Sequence, residues 1–522
     1  MTKLNIPEPC NADSDEENMD EDIMEFSVHD EVEKEYDELY QGYKNYTKKD
    51  LLNLLKKANI IYSPNNNKQM LIERLIHFKS TLYHRNQFKE YDTEKFQKFN
   101  GKSPSEIFLI FFEEIIDIIV IETNRYIEQE NNQELRDTHF PLGITQEVIR
   151  VFLTAILLIG SINPSRLESY WDYGLYYTSS VSSLLTYTQF RFLLTHLHFA
   201  NNQDQNLVES DKLYKITNIM NICKKKFQEN WSPHQNIAID EGIVPSENTA
   251  GLKEYIQDKP GRWGYKFWKL VDEKGYLYFF DLYAGKNSVT KEGTDKIWET
   301  IVKKLLKESK VLGHNHIIYT DNFFTTIPVS EFLLQNNTHC IGTIRNLKRA
   351  IPQELFNDQL VKGDYRYLVL QDSTISLLRI NDTKEFLLLN TKFTPNEGVP
   401  YHSQSQQRRG VQKYRFPKAL ESYRSYMGCV NRHDKRLKNT SFYQVSNKWY
   451  LSIFWFLLES TVINSFLVYN RTNIKDLKFA DFRTKLILEL PNGITLRKNK
   501  ENPVLPFSNL KKINKRKNHP EE

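Results

Sequence analysis

Two aspartates stand where short hydrophobic, strand-like runs give out. Asp240 closes the run NIAID, and Asp321 closes IIYTD just before the helix-like run PVSEFLLQ. A buried carboxylate costs several kcal/mol unless it is paired or metal-bound, so two of them at the ends of neighbouring strands suit a Mg²⁺ (or Mn²⁺) site with hard oxygen ligands. The other reading makes each one a turn or cap residue; Asp321 followed by Asn322 caps a helix well. Basic and aromatic residues interleave in KPGRWGYKFWKL, where Lys259, Arg262, Lys266 and Lys269 alternate with Trp263, Tyr265, Phe267 and Trp268. That pattern suits phosphate contact and base stacking. It equally suits a strand with its aromatic residues in the core and its lysines in water. Arg345, Lys348 and Arg349 in GTIRNLKRAIP, and Lys448 beside Trp449, carry the same two readings.

The elements that must position these residues form a mixed pattern. Residues 1–45 are acidic and short of periodic apolar positions, which predicts a disordered tail. Residues 46–80 read as a helical hairpin with lysines beside its apolar stripe, opened by a capping-box-like Thr47 and Asp50; the pattern is similar to the SAP-type DNA-binding motif. Residues 103–228 follow helical periodicity. Ser103 or Ser105 can cap the first helix, and Phe108, Phe111, Phe112, Ile115 and Ile119 form one stripe. From residue 232 to 395 short β-rich runs alternate with helical stretches such as GTDKIWETIVKKLLKES, the signature of an α/β core. Residues 410–475 return to helix, and 495–522 form a basic, disordered tail.

Composition bounds the function. Residues 13–38 hold fourteen Asp or Glu against one lysine, Lys34, a net −13. The remaining chain carries 69 Lys and Arg against 52 Asp and Glu, a net +17 that suits a polyanionic partner such as double-stranded DNA. The four cysteines, Cys10, Cys223, Cys340 and Cys429, are far apart in sequence, so no zinc site or disulfide framework is expected. The apolar run from Val151 to Ile162 is too short to span a bilayer, and the run from Ile453 to Tyr469 is broken by Glu459 and Asn464; no membrane association is expected. The N-terminus lacks the pattern of a secretory signal. The clusters Arg497–Lys500 and Lys511–Lys517 have the composition of an import signal, which predicts a nuclear protein.

The words around the two acids are more specific than the acids. DEGIVPSENTAGLKEYIQDKPGRWGYKFWKLVD, YTDNFFTTIPVSEFLL, GTIRNLKRAIP, FPKALESYRSYMGCVNRHDKRLKN and KWYLSIFWFLLESTVINSFLVYN resemble the piggyBac transposase family, in that family's order, over roughly residues 105–470. The resemblance implies an RNase H-like catalytic core, a mixed sheet with helices, flanked by helical DNA-binding and dimerisation regions. It implies DNA cleavage and strand transfer with two metal ions, in a homodimer or a dimer with a related transposase. It places metal-binding, catalytic aspartates at Asp240 and Asp321. The family's third aspartate lies in a GGVDxxD-like word that here reads GCVNRHD, so its position is Asn431, with Asp434 following about 4.5 Å along a helix. An asparagine offers a neutral oxygen where two cations call for charge. Two readings therefore stand: an active transposase using Asp240, Asp321 and Asp434, and a transposase-derived DNA-binding protein without the chemistry. No cysteine follows Cys429, so the cysteine-rich C-terminal module of many family members is not expected.

Overall fold

The computed structural model describes residues 40–57, 68–69, 71–72, 88, 94–162, 166–171, 179–246, 253–255, 263–285, 296–345, 351, 353–356, 359–370, 373–395, 397–401, 414–438, 440, 442, 448–473 and 476–497. Residues 1–39 of the acidic tail lie outside them, as do the basic tail beyond Arg497 and most of the second half of the N-terminal hairpin; residues 40–44, expected to be disordered, are helical, with Tyr43 buried in the small N-terminal cluster.

Helix α1 (Lys48–Lys57) begins as its sequence requires: the Asp50 amide donates to Thr47 Oγ1 at 3.2 Å and the Thr47 amide to Asp50 Oδ2 at 3.0 Å. Its buried Leu51 belongs to a small cluster with Tyr43, Leu71 and Ile72, separate from the main core.

The helical region comprises α2 (Pro104–Gln129), α3 (Gln146–Ile162), α4 (Tyr187–His196) and α5 (Tyr214–Glu229), with shorter helical pieces between them. Ser103 caps α2 through a full capping box, its amide donating to Glu106 Oε2 at 2.7 Å. The stripe Phe108, Phe111, Phe112, Ile115 and Ile119 is buried as its spacing predicts.

Beyond this region the chain builds β1 (Asn236–Pro245), β2 (Glu254–Tyr255), β3 (Trp263–Asp272), β4 (Leu277–Leu282), α6 (Ile297–Glu308), β5 (Ile317–Thr320), α7 (Ile327–Gln335) and β6 (His339–Ile344). Then come β7 (Tyr365–Val369), β8 (Ser376–Asn381), β9 (Glu385–Asn390), the hairpin of β10 (Gly398–Tyr401) and β11 (Tyr414–Pro417), α8 (Lys418–Tyr426), α9 (Cys429–Lys438), α10 (Trp449–Thr472) and α11 (Phe479–Glu489).

Among the described residues, nine strands form one sheet in the order β2-β3-β1-β5-β6-β9-β8-β7, with β4 also on β3. One end is an antiparallel meander, β4-β3-β1, continued by two parallel strands, β5 and β6. Parallel neighbours need a crossover, and α6 and α7 supply it. This ordering is the RNase H-like arrangement, extended at one edge by the antiparallel β9, β8 and β7. The β3–β4 turn is fixed by Asp272, whose Oδ1 accepts the Lys274 and Tyr276 amides at 3.0 and 3.1 Å, and by Gly275 at φ 87°, a left-handed conformation suited to glycine.

Helix α10 sits between the helical region and the sheet. By length and composition it is apolar enough to cross a membrane, yet 89% of its most apolar window is buried in protein. The two polar residues that interrupt its sequence both have partners. Asn464 bonds both the amide and the carbonyl of Leu277, at 3.0 and 2.9 Å, and Glu459 pairs with Arg483 of α11. A single apolar core therefore runs from the helical region into the sheet.

Candidate acidic site

Asp240 is not at a strand end. Strand β1 continues through Asp-Glu-Gly-Ile-Val to Pro245, because β3 pairs with it along its whole length. Asp321 does follow the last residue of β5. The parallel register of β1 and β5 ends with Ile239 opposite Thr320, so one further step sets Asp240 beside Asp321. Both aspartates belong to the sheet face that α8 covers. On that face the Tyr319 hydroxyl lies 2.8 Å from Asn236 Oδ1 and 2.7 Å from Ser422 Oγ of α8. At the next residue of α8, the Tyr423 phenol is pushed up by burial, and both Asp321 and Asp240 add to the rise. Tyr423 Oη also lies 3.3 Å from Thr343 Oγ1 on β6. Asp321 Oδ1 accepts the amides of Phe323 and Phe324 at 2.9 and 3.3 Å, while α7 is capped by Thr326. Asp321 is therefore a turn-forming residue as well as Asp240's neighbour.

The third acid goes elsewhere. Lys269 stands directly opposite Asp240 in the β1–β3 register, so its side chain shares that face. It runs over Gly242, where an added Cβ would lie 2.4 Å from its Cε. It ends 2.6 Å from Asp434 Oδ1 and 4.6 Å from the centre of the Phe456 ring. The lysine side chain is 1% exposed and that of Asp434 31%. Asn431, the position of the family's third acid, is exposed on α9. Between the two, His433 is fully buried and hydrogen-bonded to the Gly275 carbonyl and Ser460; burial pushes its imidazole down to about 3, with neighbouring Lys269 adding to the fall.

Among the described residues no group of three His, Cys, Asp or Glu side chains is gathered closely enough to hold a metal ion. DDE transposases generally work with divalent metal. The donor set here does not fit a two-metal centre: it offers two adjacent carboxylates, a neutral amide in solvent, and a third carboxylate already bound to a buried ammonium.

The basic residues divide into three groups. Lys266 bonds Glu241 on the opposite face of the sheet, its side chain 17% exposed, so both residues are engaged within the fold. Lys448 donates to the Thr195 carbonyl, lies 5.2 Å from the Tyr126 ring centre, and is pushed down to about 8 by burial. It ties α10 to the helical region and does not extend freely towards a ligand. Arg345 is exposed and lies over Phe323, two residues from Asp321. Lys259, Arg262, Lys348 and Arg349 fall outside the described residues. Sequence reasoning missed the place of Lys269, although strand parity carried a signal. Lys269 falls in the row Tyr265, Phe267, Val271, which is otherwise apolar and buried.

A mixed sheet ordered in this way, with aspartates adjacent on its first strand and after its central parallel strand, defines the fold of the DDE transposases. The family model described as Transposase IS4 matches residues 103–466. The chain belongs to that transposase family, on its piggyBac side. It is 25% identical over 396 residues to PiggyBac transposable element-derived protein 3 of Homo sapiens, covering 74% of this chain and 64% of that one. It is 24% identical over 382 residues to the human PiggyBac transposable element-derived protein 2, covering 70% and 61%. With the human PiggyBac transposable element-derived protein 5 the identity is 18% over 406 residues, covering 74% and 75%. The match thus spans less than two thirds of the length of the first two relatives. The fold is similar to that in the cryo-EM structure of a piggyBac transposase synaptic complex with hairpin DNA, with a TM-score of 0.67, 22% identity, and coverage of 80% of this chain and 86% of that one.

Proposed function

We propose that this chain is a transposase-derived DNA-binding protein whose strand-cleaving chemistry is lost or strongly reduced. The carrying observation is the commitment of Asp434 to Lys269 in a chain whose other third-acid position is Asn431. DNA binding is supported by the fold it shares with a transposase solved on hairpin DNA and by the net +17 outside residues 13–38. In this reading the partner is double-stranded DNA, the protein acts in the nucleus as a homodimer or beside a related transposase, and the acidic tail competes with DNA for the basic surface. The adjacency of Asp240 and Asp321 favours a second reading, an active transposase using Mg²⁺ or Mn²⁺. The deciding experiment incubates the protein with a transposon-end duplex of its own genomic copy in Mg²⁺ and in Mn²⁺. Binding without nicking is expected, with nicking gained on Asn431→Asp. Robust cleavage by the unchanged chain, abolished by Asp240→Asn, overturns the proposal.

A further inference from the structure

We infer that Lys269 is a resident counter-cation of the acidic face: its ammonium supplies charge balance beside Asp240 and holds Asp434, closing that face to a divalent ion. The inference rests on the reading above and names the residue that enforces it.

An ammonium on a side chain only 1% exposed needs a partner inside the fold, and Asp434 Oδ1 at 2.6 Å provides it. The Phe456 ring, 4.6 Å from Nζ, adds a second favourable contact for a cation. Backbone geometry makes this arrangement specific. Lys269 is the register partner of Asp240, so the two share a face, and Gly242, two residues along β1, also lies on it. The absence of a side chain at Gly242 leaves the lysine its path: a Cβ there would stand 2.4 Å from Cε, 2.6 Å from Nζ and 2.9 Å from Cδ. The lysine's bed, its carboxylate and its aromatic neighbour come from three elements, β1, α9 and α10, which the fold brings together over β3.

The consequence for a metal is electrostatic. A fixed positive charge on the face that carries Asp240 repels a second cation and occupies a carboxylate that would otherwise be available. Asn431 alone removes one ligand charge; Lys269 adds an opposing one. Asn431→Asp restores the ligand charge but leaves the lysine in place, so the nicking it gains should stay below that of the Asn431→Asp, Lys269→Met double variant.

The test measures Mn²⁺ binding to the full chain by the loss of the free-ion paramagnetic signal, with thermal melting followed in parallel. Lys269→Met keeps the length and apolar stem of the side chain and removes its charge. It is expected to bind Mn²⁺ at least tenfold more tightly than the unchanged chain and to melt higher when Mn²⁺ is added. Asp240→Asn in the same background should erase the gain. Asp434→Asn in the unchanged chain is expected to leave Mn²⁺ affinity within twofold, because that carboxylate is already taken; a tenfold loss would show that Asp434 serves a metal and would overturn the inference. Lys269→Met that melts cooperatively yet binds Mn²⁺ no better also overturns it, and Lys269→Gln serves the same comparison if the methionine variant does not fold. Cleavage of DNA by the unchanged chain would sink the proposed function by a separate readout, whichever way the Mn²⁺ titration of Lys269→Met falls.

Discussion

Arg483 offers the sharpest test of how the last helices are joined to the rest of the molecule. Its side chain is almost fully buried. Nε donates to Ser161 Oγ at 2.8 Å, one terminal nitrogen to Glu459 Oε2 at 2.6 Å, and the other to Glu459 Oε1 at 2.9 Å and to the carbonyls of Leu157 and Thr440 at 2.8 and 3.1 Å. One guanidinium thus satisfies groups from α3, α10 and the segment before α10. Arg483→Met leaves Glu459, 1% exposed, with only the Thr440 hydroxyl at 3.2 Å, among the described residues, to meet its charge. Removing one partner of a buried ion pair costs about 3–5 kcal/mol. At roughly 2–4 °C per kcal/mol for a cooperative unit of 150–250 residues, the melting temperature should fall by about 6–20 °C. The double variant Arg483→Met with Glu459→Leu removes both charges, and an apolar replacement of a buried pair is often neutral, so most of the loss should be recovered. Calorimetry and urea denaturation of the unchanged chain, both single variants and the double variant complete the cycle. A loss under about 1 kcal/mol for Arg483→Met, or a double variant worse than either single one, refutes the view that this pair fastens the assembly.

Gly342→Ala on β6 would place a Cβ 2.1 Å from Thr325 Oγ1 and 2.7 Å from the Thr320 carbonyl, in the turn that holds Asp321, so a loss of about 1–3 kcal/mol is expected in a denaturant melt. Burial pushes His198 and His433 down to about 3 and His316 to about 4. The unfolded chain, with ordinary histidines near 6.5, binds protons that the folded chain refuses. Stability should therefore be full above about pH 6.5 and fall with acid by up to ~1.4 kcal/mol per pH unit for each histidine, down to pH ~4. His316→Gln should flatten the dependence of the urea midpoint between pH 6.5 and 4, and an unchanged slope would count against the assignment. DNA affinity should fall steeply with salt, and deletion of residues 1–38 should raise it across a salt series. A fluorescent fusion lacking residues 497–522 should be less nuclear than the full chain.

Local signals in the sequence mapped well onto local structure. Ser103 and Thr47 cap the helices they precede, the stripe from Phe108 to Ile119 is buried, and the acids of NIAID and IIYTD lie side by side, since parallel strands with similar apolar runs share a register. What failed depended on distance. Asp240 looked like the last residue of its strand, but pairing with β3 carries the strand on to Pro245, which turns Glu241 to the opposite face, where it meets Lys266. The fate of Asp434 depends on a lysine 165 residues earlier, and Lys448 is fastened to a carbonyl 253 residues away. Composition marks such side chains as basic or acidic but does not say which of them will meet a partner inside the fold.

The placing of α10 has a consequence for synthesis. The amide and carbonyl of Leu277 wait for Asn464, 187 residues downstream, and Phe267 and Phe280 wait for Phe456. While the ribosome makes the intervening chain, α5 covers the sheet at β4, through Phe227 against Tyr276 and Phe280, and the apolar surface that α10 will cover is left open and prone to aggregate. Completion of this fold is therefore expected to wait until α10 has been made, and a chain stopped anywhere before residue 449 should be recovered as insoluble material and not as a smaller folded protein.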